Sequence, residues 1–326
     1  MKAAAYAMVA TQPGPPSVLS EIEIEIPKPG SNEVLIRHTA IGVNFIDCYY
    51  RSGLYPWPVK DNLVLGSEAV GIVEALGSDV SSTAVGDRVA YTLPNNAYST
   101  HRVIDAQHVV QVPNGISDET AAACMLKGLT ARYLLKDSYK LQAGQSVLFH
   151  AAAGGVGNIA GQWMSAIGVQ ATGTAGGREK CEIAKANGFA KVIDYAATDF
   201  LVAAKALKPK GYDVVYDSVG KDTLLRSLSC LKRHGTLVNF GQSSGAVADF
   251  AMSHLAAGSY HLTRPVLFHF TADKNWLQAA AKDLFDMILS ESIKIHIHET
   301  APLRDVASIH SDLEGRKTMG SVVLIP

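Results

Sequence analysis

Apolar and polar positions divide the chain into three stretches. Ser20-Glu-Ile-Glu-Ile-Glu-Ile26 alternates strictly, which predicts a strand with one wet and one dry face. Pro27-Lys28-Pro29-Gly30 ends it. Glu33–Ala40 predicts a second strand. Leu63–Gly77 is apolar but broken by Gly66, Gly71 and Gly77, and Asp87–Tyr91 resumes a strand after Gly86. Short strands between Gly/Pro turns up to about residue 125 predict a β-rich first region.

After Cys124 the pattern changes. Thr130–Lys136 and its flanks read as helix. Short apolar runs then alternate with helical stretches. The predicted strands are Val147–His150, Val169–Thr174, Lys191–Asp194, Asp213–Asp217 and Thr236–Phe240. The predicted helices between them are Val156–Ile167, Glu179–Asn187, Val202–Leu207 and Leu224–Lys232. Alternation of this length implies a parallel sheet covered by helices. The strands are rich in Val, Ile and Leu without alternation, as expected when both faces are buried. From about Arg264 a third region follows: a helix over Trp276–Leu289, an alternating run Ile293–His298, a helix over Pro302–Arg316 and a closing strand Gly320–Pro326.

Composition narrows the class. The chain has 326 residues, 48% hydrophobic and 18% charged, too apolar for a disordered chain. That length suggests one large domain or two ordinary ones. The formal net charge of −1 gives no bulk electrostatic case for nucleic acid or an anionic membrane. Cys48, Cys124, Cys181 and Cys230 are scattered, with no CxxC, which points to free thiols in a reducing cytosol rather than to structural zinc. Lys2 and the short run Ala3–Ala10 lead directly into strand-like sequence and are not read as a targeting segment. Leu141–Gly177 lacks Asp, Glu, Lys and Arg, but its glycines, Asn158 and Gln162 make it a buried strand–loop–helix rather than a membrane span. A soluble, cytoplasmic protein is expected.

Many of the 28 glycines cluster. His150-Ala-Ala-Ala-Gly154-Gly155-Val156-Gly157 falls between a predicted strand and a predicted helix, the setting of a dinucleotide-binding turn. There the glycines admit a pyrophosphate close to the backbone, and the helix N-terminus offers free N–H groups. Against GxGxxG the first glycine is replaced by Ala152, and the bland alternative is a tight turn of any α/β fold. NAD enzymes place a carboxylate at the end of the second strand to take the ribose diol. Here that strand runs into Gly176-Gly177-Arg178-Glu179-Lys180, with no terminal carboxylate and two cations, which favours the 2′-phosphate of NADP. The alternative is a solvated first helical turn.

The sequence resembles the medium-chain dehydrogenase/reductase superfamily, and within it the zinc-free NADPH:quinone oxidoreductases that include zeta-crystallin. The resemblance covers essentially the whole chain. It rests on Met1–Ala5, Gly42–Asp47, Gly66–Gly71, Gly86–Val89, Ala151–Gly157, Asp217–Gly220, Phe240–Gly245, Thr263–Pro265 and Gly320–Pro326. It implies a GroES-like β-rich catalytic domain over 1–125 and 265–326 and a Rossmann NADPH-binding domain over 126–264. Carried over residue by residue, it implies that Gly154, Gly155, Val156 and Gly157 form the cofactor loop. Lys180 and Tyr195 would lie at the 2′-phosphate, beside Gly177 and Arg178 of the cationic loop read above. Asn44, Asp47, Tyr49, Thr130, Ser218, Phe240, Gly241, Ser243 and Thr263 would lie along the rest of the cofactor, with Arg316 near the C-terminus. It also implies a homodimer through the Rossmann sheet edge near Thr263–Phe270.

The zinc alcohol dehydrogenases of that superfamily use a Cys and a Gly-His-Glu motif, where this chain has Asn44 and Gly66-Ser67-Glu68. No metal is therefore expected, and an already electrophilic acceptor suits the site better: a quinone, or alternatively an alkenal or enone. Cofactor and acceptor stacked in the interdomain cleft would react chiefly through proximity. Asn44 and Tyr49 either donate hydrogen bonds to the developing oxyanion or only position the nicotinamide ribose. His296 and His298 form an HxH pair without a third ligand, read as a half-exposed strand face. His150 is read as a packed strand-end residue. Neither a Tyr/Lys acid of the short-chain type nor an α/β-hydrolase Gly-x-Ser-x-Gly elbow is expected. A third class, a low-turnover NADPH-binding structural protein or binder of AU-rich RNA, is disfavoured by the lack of a basic, aromatic-interleaved stretch.

Overall fold

The computed structural model describes residues 5–326, so Met1–Ala4 of the Met1–Ala5 motif and of the Ala3–Ala10 run lie outside the described residues. The chain forms two compact units. The first comprises the chain up to Leu126, Phe270–Leu289 and Ile295–Pro326; the second comprises Lys127–His269 and Ser290–Lys294.

The first unit opens with strands β1 (Tyr6–Ala10), β2 (Leu19–Glu23) and β3 (Glu33–Val43), helix α1 (Phe45–Ser52), and strands β4 (Leu63–Val64), β5 (Glu68–Leu76), β6 (Arg88–Thr92), β7 (His101–Asp105) and β8 (Val109–Gln111). Strand β1 pairs antiparallel with both β2 and β4. The predicted dry face of Ser20–Ile26 is corrected. Strand β2 stops at Glu23, and Ile22 and Ile26 are 38% and 45% exposed. Among the described residues β1 is its one neighbour, so β2 is an edge, and alternation by itself does not supply a layer to cover it. The core beneath the larger sheet is built from buried Ile36, Ile41, Leu65, Val89, Tyr91 and Tyr98.

Helix α2 (Asp118–Tyr133) begins earlier than the pattern change after Cys124 suggested. Ala121, Ala122, Ala123, Cys124 and Met125 are all fully buried, and a helix buried all round shows no amphipathic period to read.

The second unit alternates β9 (Val147–Phe149), α3 (Gly155–Ala166), β10 (Ala171–Ala175), α4 (Arg178–Ala186), β11 (Lys191–Asp194), α5 (Phe200–Leu207), β12 (Tyr212–Asp217), α6 (Leu224–Leu228), β13 (Leu231–Asn239), α7 (Ser253–Ala256), β14 (His261–Thr263) and α8 (Leu267–Thr271). All six strands are parallel, in the order β11-β10-β9-β12-β13-β14. This is the doubly wound order in which the sequence reverses direction between β9 and β12. Val147, Leu148, Phe149, Val214, Val215 and Tyr216 have no exposure, as two covered faces require. The helix predicted over Leu224–Lys232 ends at Leu228 instead. Leu231 already pairs with Tyr212, and Lys232 extends β13 while its ammonium meets Asp213.

The chain then adds α9 (Lys274–Leu289), β15 (Ile297–Pro302), α10 (Val306–Glu314) and β16 (Ser321–Ile325) to the first unit. Strand β16 pairs antiparallel with β3, completing the sheet order β15-β16-β3-β5-β6-β8, with β7 also on β3. The strand predicted over Ile293–His298 begins only at Ile297, and His296 and His298 are both exposed. Among the described residues, no helix is long and apolar enough to cross a membrane.

Candidate cofactor and active site

Most of the predicted cofactor residues collect along one edge of the parallel sheet. The turn Ala151–Gly157 follows β9, Gly176–Lys180 follows β10, and Tyr195 follows β11. Ser218 follows β12, Phe240, Gly241 and Ser243 follow β13, and Thr263 ends β14. All sit at or just beyond the carboxyl ends of their strands, where ligands bind in open α/β sheets. Thr130 stands apart from this row, buried in α2.

The glycine turn explains its own departures from the fingerprint. Ala151 takes a left-handed conformation (φ 55°). Ala152 occupies the position of the first fingerprint glycine and is fully buried. A Cβ on Gly173 of β10 would lie 2.5 Å from its methyl, so Gly173 makes the room that Ala152 fills. A Cβ on Gly157 would lie 2.5 Å from the Ala151 carbonyl oxygen and 2.6 Å from that of Ala152. The N–H groups of Gly155, Val156 and Gly157 open α3 without a backbone acceptor among the described residues. Three free donors at a helix N-terminus, on a turn that a Cβ would obstruct, fit a pyrophosphate.

The next loop carries the charge. Gly177 has φ 87° and leads into α4 with Arg178 exposed and Lys180 half-buried. Tyr195 is 47% exposed, and its ring lies over Gly176, where a Cβ would meet it at 2.7 Å. A carboxylate does reach this loop, from the neighbouring strand. Asp194 Oδ1 accepts the N–H groups of Gly177 (2.8 Å) and Ala196 (2.9 Å), which hold its carboxyl below the usual range. Further along the edge, Ser218 accepts the N–H of Ser243 (3.1 Å) and closes on Gly241, whose absent Cβ would stand 2.7 Å from the Ser218 carbonyl oxygen.

In the first unit, Asn44, Asp47 and Tyr49 come together on α1. Asn44 donates its Nδ2 to Glu68 Oε1 (2.8 Å), and Glu68 Oε2 accepts the N–H of Leu126 (2.5 Å). Gly42 makes space for that carboxylate, since a Cβ there would lie 2.3 Å from Glu68 Oε1. Asp47 has no exposure. It accepts from the Asn44 N–H (2.9 Å), Ser67 Oγ (2.6 Å) and Tyr98 Oη (2.9 Å). Burial pushes its carboxyl up to about 6 against those three donors. Tyr98 Oη also lies 2.9 Å from His310 Nε2, and Cys48 Sγ lies 3.6 Å from His310 Nδ1. Tyr98 gives its proton to Asp47, so His310 donates from Nε2 and takes the Cys48 S–H at Nδ1. Burial, reinforced by the charge of Arg51, lowers the His310 pKa to about 3 and keeps the ring neutral. Tyr49 is half-buried, its ring 5.3 Å from that of Tyr55. Arg316 is exposed, with φ 59°, just beyond α10.

Ser67, Tyr98 and His310 were missed as site supports. They lie far apart in sequence and share no motif. One expectation is also corrected: Gly241-Gln242-Ser243-Ser244-Gly245 does have the Gly-x-Ser-x-Gly spacing. It follows β13 but leads into a turn rather than a helix, so the strand–turn–helix geometry of a nucleophile elbow is missing. Among the described residues, no group of three or more His, Cys, Asp or Glu side chains could hold a metal ion.

Comparison with known proteins agrees with this geometry. Residues 30–192 match the alcohol dehydrogenase GroES-like domain family, and residues 187–324 match the zinc-binding dehydrogenase family. A quinone oxidoreductase of Pseudomonas aeruginosa is 46% identical over 96% of this chain and 97% of its own length. A 2-haloacrylate reductase of a Burkholderia species is 39% identical over 98% of each chain. The solved structure of Escherichia coli quinone oxidoreductase in complex with NADPH superposes with a TM-score of 0.94 at 41% identity, covering 98% of this chain and 100% of that one. The chain belongs to the quinone oxidoreductase family of the medium-chain dehydrogenases/reductases.

Proposed function

We propose that this protein is an NADPH-dependent quinone reductase that works without flavin or metal. The observation that carries the reading is the row of loops along the carboxyl edge of the doubly wound sheet. It combines a glycine turn with three free N–H donors and a neighbouring loop bearing Arg178, Lys180 and Tyr195. The first would hold the pyrophosphate and the second the 2′-phosphate, while Ser218, Phe240, Gly241, Ser243 and Thr263 would line the remainder. Bound NADPH supplies the hydride.

The first unit contributes polarity and order. Tyr49 is the proposed donor to oxygen as negative charge develops on the acceptor. Asn44 is held by Glu68 and the α1 network so that its amide faces one way. Asp47, buried and bonded to three protein donors, acts by positioning Asn44 and α1. A quinone yields a delocalised anion, so the site needs no strong general acid.

The assay follows NADPH oxidation with a benzoquinone, with a conjugated enone and without acceptor. Rapid turnover of the quinone is expected. Turnover of the enone alone would move the assignment to double-bond reduction, a reading that the Burkholderia relative keeps in view. Binding of NADPH without turnover would overturn both. We also propose a cytoplasmic homodimer. Four buried free cysteines support a reducing compartment, and β14, paired on one side only among the described residues, offers the edge for a second copy. Sedimentation of a monomer would overturn the dimer.

A further inference from the structure

Beneath the loops of the second unit runs a hydrogen-bonded chain with no part in the proposed chemistry. His150 closes β9 and is 1% exposed. Its Nδ1 lies 3.0 Å from Thr174 Oγ1, and its Nε2 lies 2.9 Å from Ser227 Oγ. Ser227 Oγ lies 3.2 Å from Asp217 Oδ2. Asp217 has no exposure. It also accepts the N–H groups of Val219 (2.8 Å) and Gly220 (3.0 Å) and the hydroxyl of Thr223 (2.7 Å to Oδ2).

Donor accounting gives the chain one direction. The Asp217 carboxylate only accepts, so Ser227 gives it its single proton. Ser227 must then accept from His150, which is therefore the neutral Nε2–H tautomer. Thr174 donates to the remaining ring nitrogen. Burial lowers the His150 pKa, in keeping with a neutral ring, while the Asp217 charge pulls the other way. The ring is further fixed edge-on against Phe200, centroids 4.9 Å apart.

Each member borders a different loop. His150 immediately precedes the glycine turn, Thr174 lies just before Gly176-Gly177, and Asp217 holds the backbone N–H groups after Ser218. Ser227, on α6, joins the first to the third. We infer that His150 is a positioning residue that locks these three loops in the register that receives NADPH, acting through Ser227 on Asp217 and through Thr174. The inference rests on the cofactor reading above.

The test uses the full chain and Ser227→Ala, Thr174→Val and the double variant, each close to isosteric. NADPH affinity is measured by fluorescence titration, kcat at saturating NADPH, and loop opening by amide hydrogen exchange. In each single variant the NADPH Kd is expected to rise about tenfold, the effect of about 1.4 kcal/mol, with kcat within about twofold of wild type. Exchange at the hydrogen-bonded amides of Ala152, Gly154, Val219 and Gly220 is expected to quicken. The double variant is expected to fall short of the product of the singles, because both break one chain. Loss of thermal stability with unchanged Kd and unchanged loop exchange would make the chain merely structural and overturn the inference. Wild-type protein that fails to bind NADPH would overturn the cofactor reading instead.

Discussion

Moving the protein from pH 7.5 to pH 5.0 is expected to weaken the first unit by a predictable amount. Two buried histidines carry the effect. His38 donates from Nδ1 to the Ser99 carbonyl (2.7 Å) and accepts at Nε2 from Tyr91 Oη (2.9 Å); His310 is bonded to Tyr98 and Cys48. Burial lowers both to about 3 from 6.5. The unfolded chain therefore binds protons at pH 5.0 that the folded one does not, and stability falls as pH drops below about 6.5. At about 1.36 kcal/mol per unit, each histidine costs about 2 kcal/mol over that interval. Asp47 acts in the opposite sense. Its carboxyl, raised to about 6 from 3.8, takes up a proton in the folded state and returns about 1 kcal/mol. Together these three groups cost about 3 kcal/mol, and the buried His150 of the second unit adds to the loss in the same sense. Urea unfolding at the two pH values, at constant ionic strength, measures it. In His38→Gln, whose amide keeps one donor and one acceptor but does not titrate, the loss should shrink by about 2 kcal/mol. No loss in wild type, or an equal loss in the variant, would refute the assignment of buried neutral rings.

Three further outcomes bear on the site. Gly157→Ala places a methyl within 2.6 Å of two loop carbonyls and should raise the NADPH Kd at least about tenfold by calorimetry. Replacing Arg178 and Lys180 together by Ala should weaken NADPH by about tenfold or more while leaving NADH affinity within about twofold, because only NADPH carries the extra phosphate. Tyr49→Phe should lower kcat for the quinone about tenfold or more with NADPH Kd unchanged; a wild-type rate would remove Tyr49 from any donor role.

Local signals in the chain carried the second unit well. Lys191–Asp194 is a strand with the predicted bounds, and the glycine turn leads from β9 into the first turn of α3 as its motif requires. Signals that depend on what lies opposite were weaker. Alternation at Ser20–Ile26 predicted a dry face that no layer covers among the described residues. The buried run Ala121–Met125 of α2 had no polar face to betray its period. Lys232, exposed on β13, looked like the wet end of a helix. The same limit applies to the site. Gly154–Gly157 and Arg178–Lys180 are local and were legible. The Asp47–Tyr98–His310 and Asp217–Ser227–His150 chains join residues distant in sequence, and each needs the fold before its donors and acceptors can be paired. The Gly241–Gly245 run shows the converse, a familiar spacing without the helix that would give it meaning.

The most direct test of the account compares kcat/KM for quinone reduction with NADPH and with NADH. The loop carrying Arg178, Lys180 and Tyr195 predicts a preference for NADPH of at least about tenfold, which the double replacement of Arg178 and Lys180 removes. Equal or faster turnover with NADH, or a preference untouched by that replacement, would contradict it.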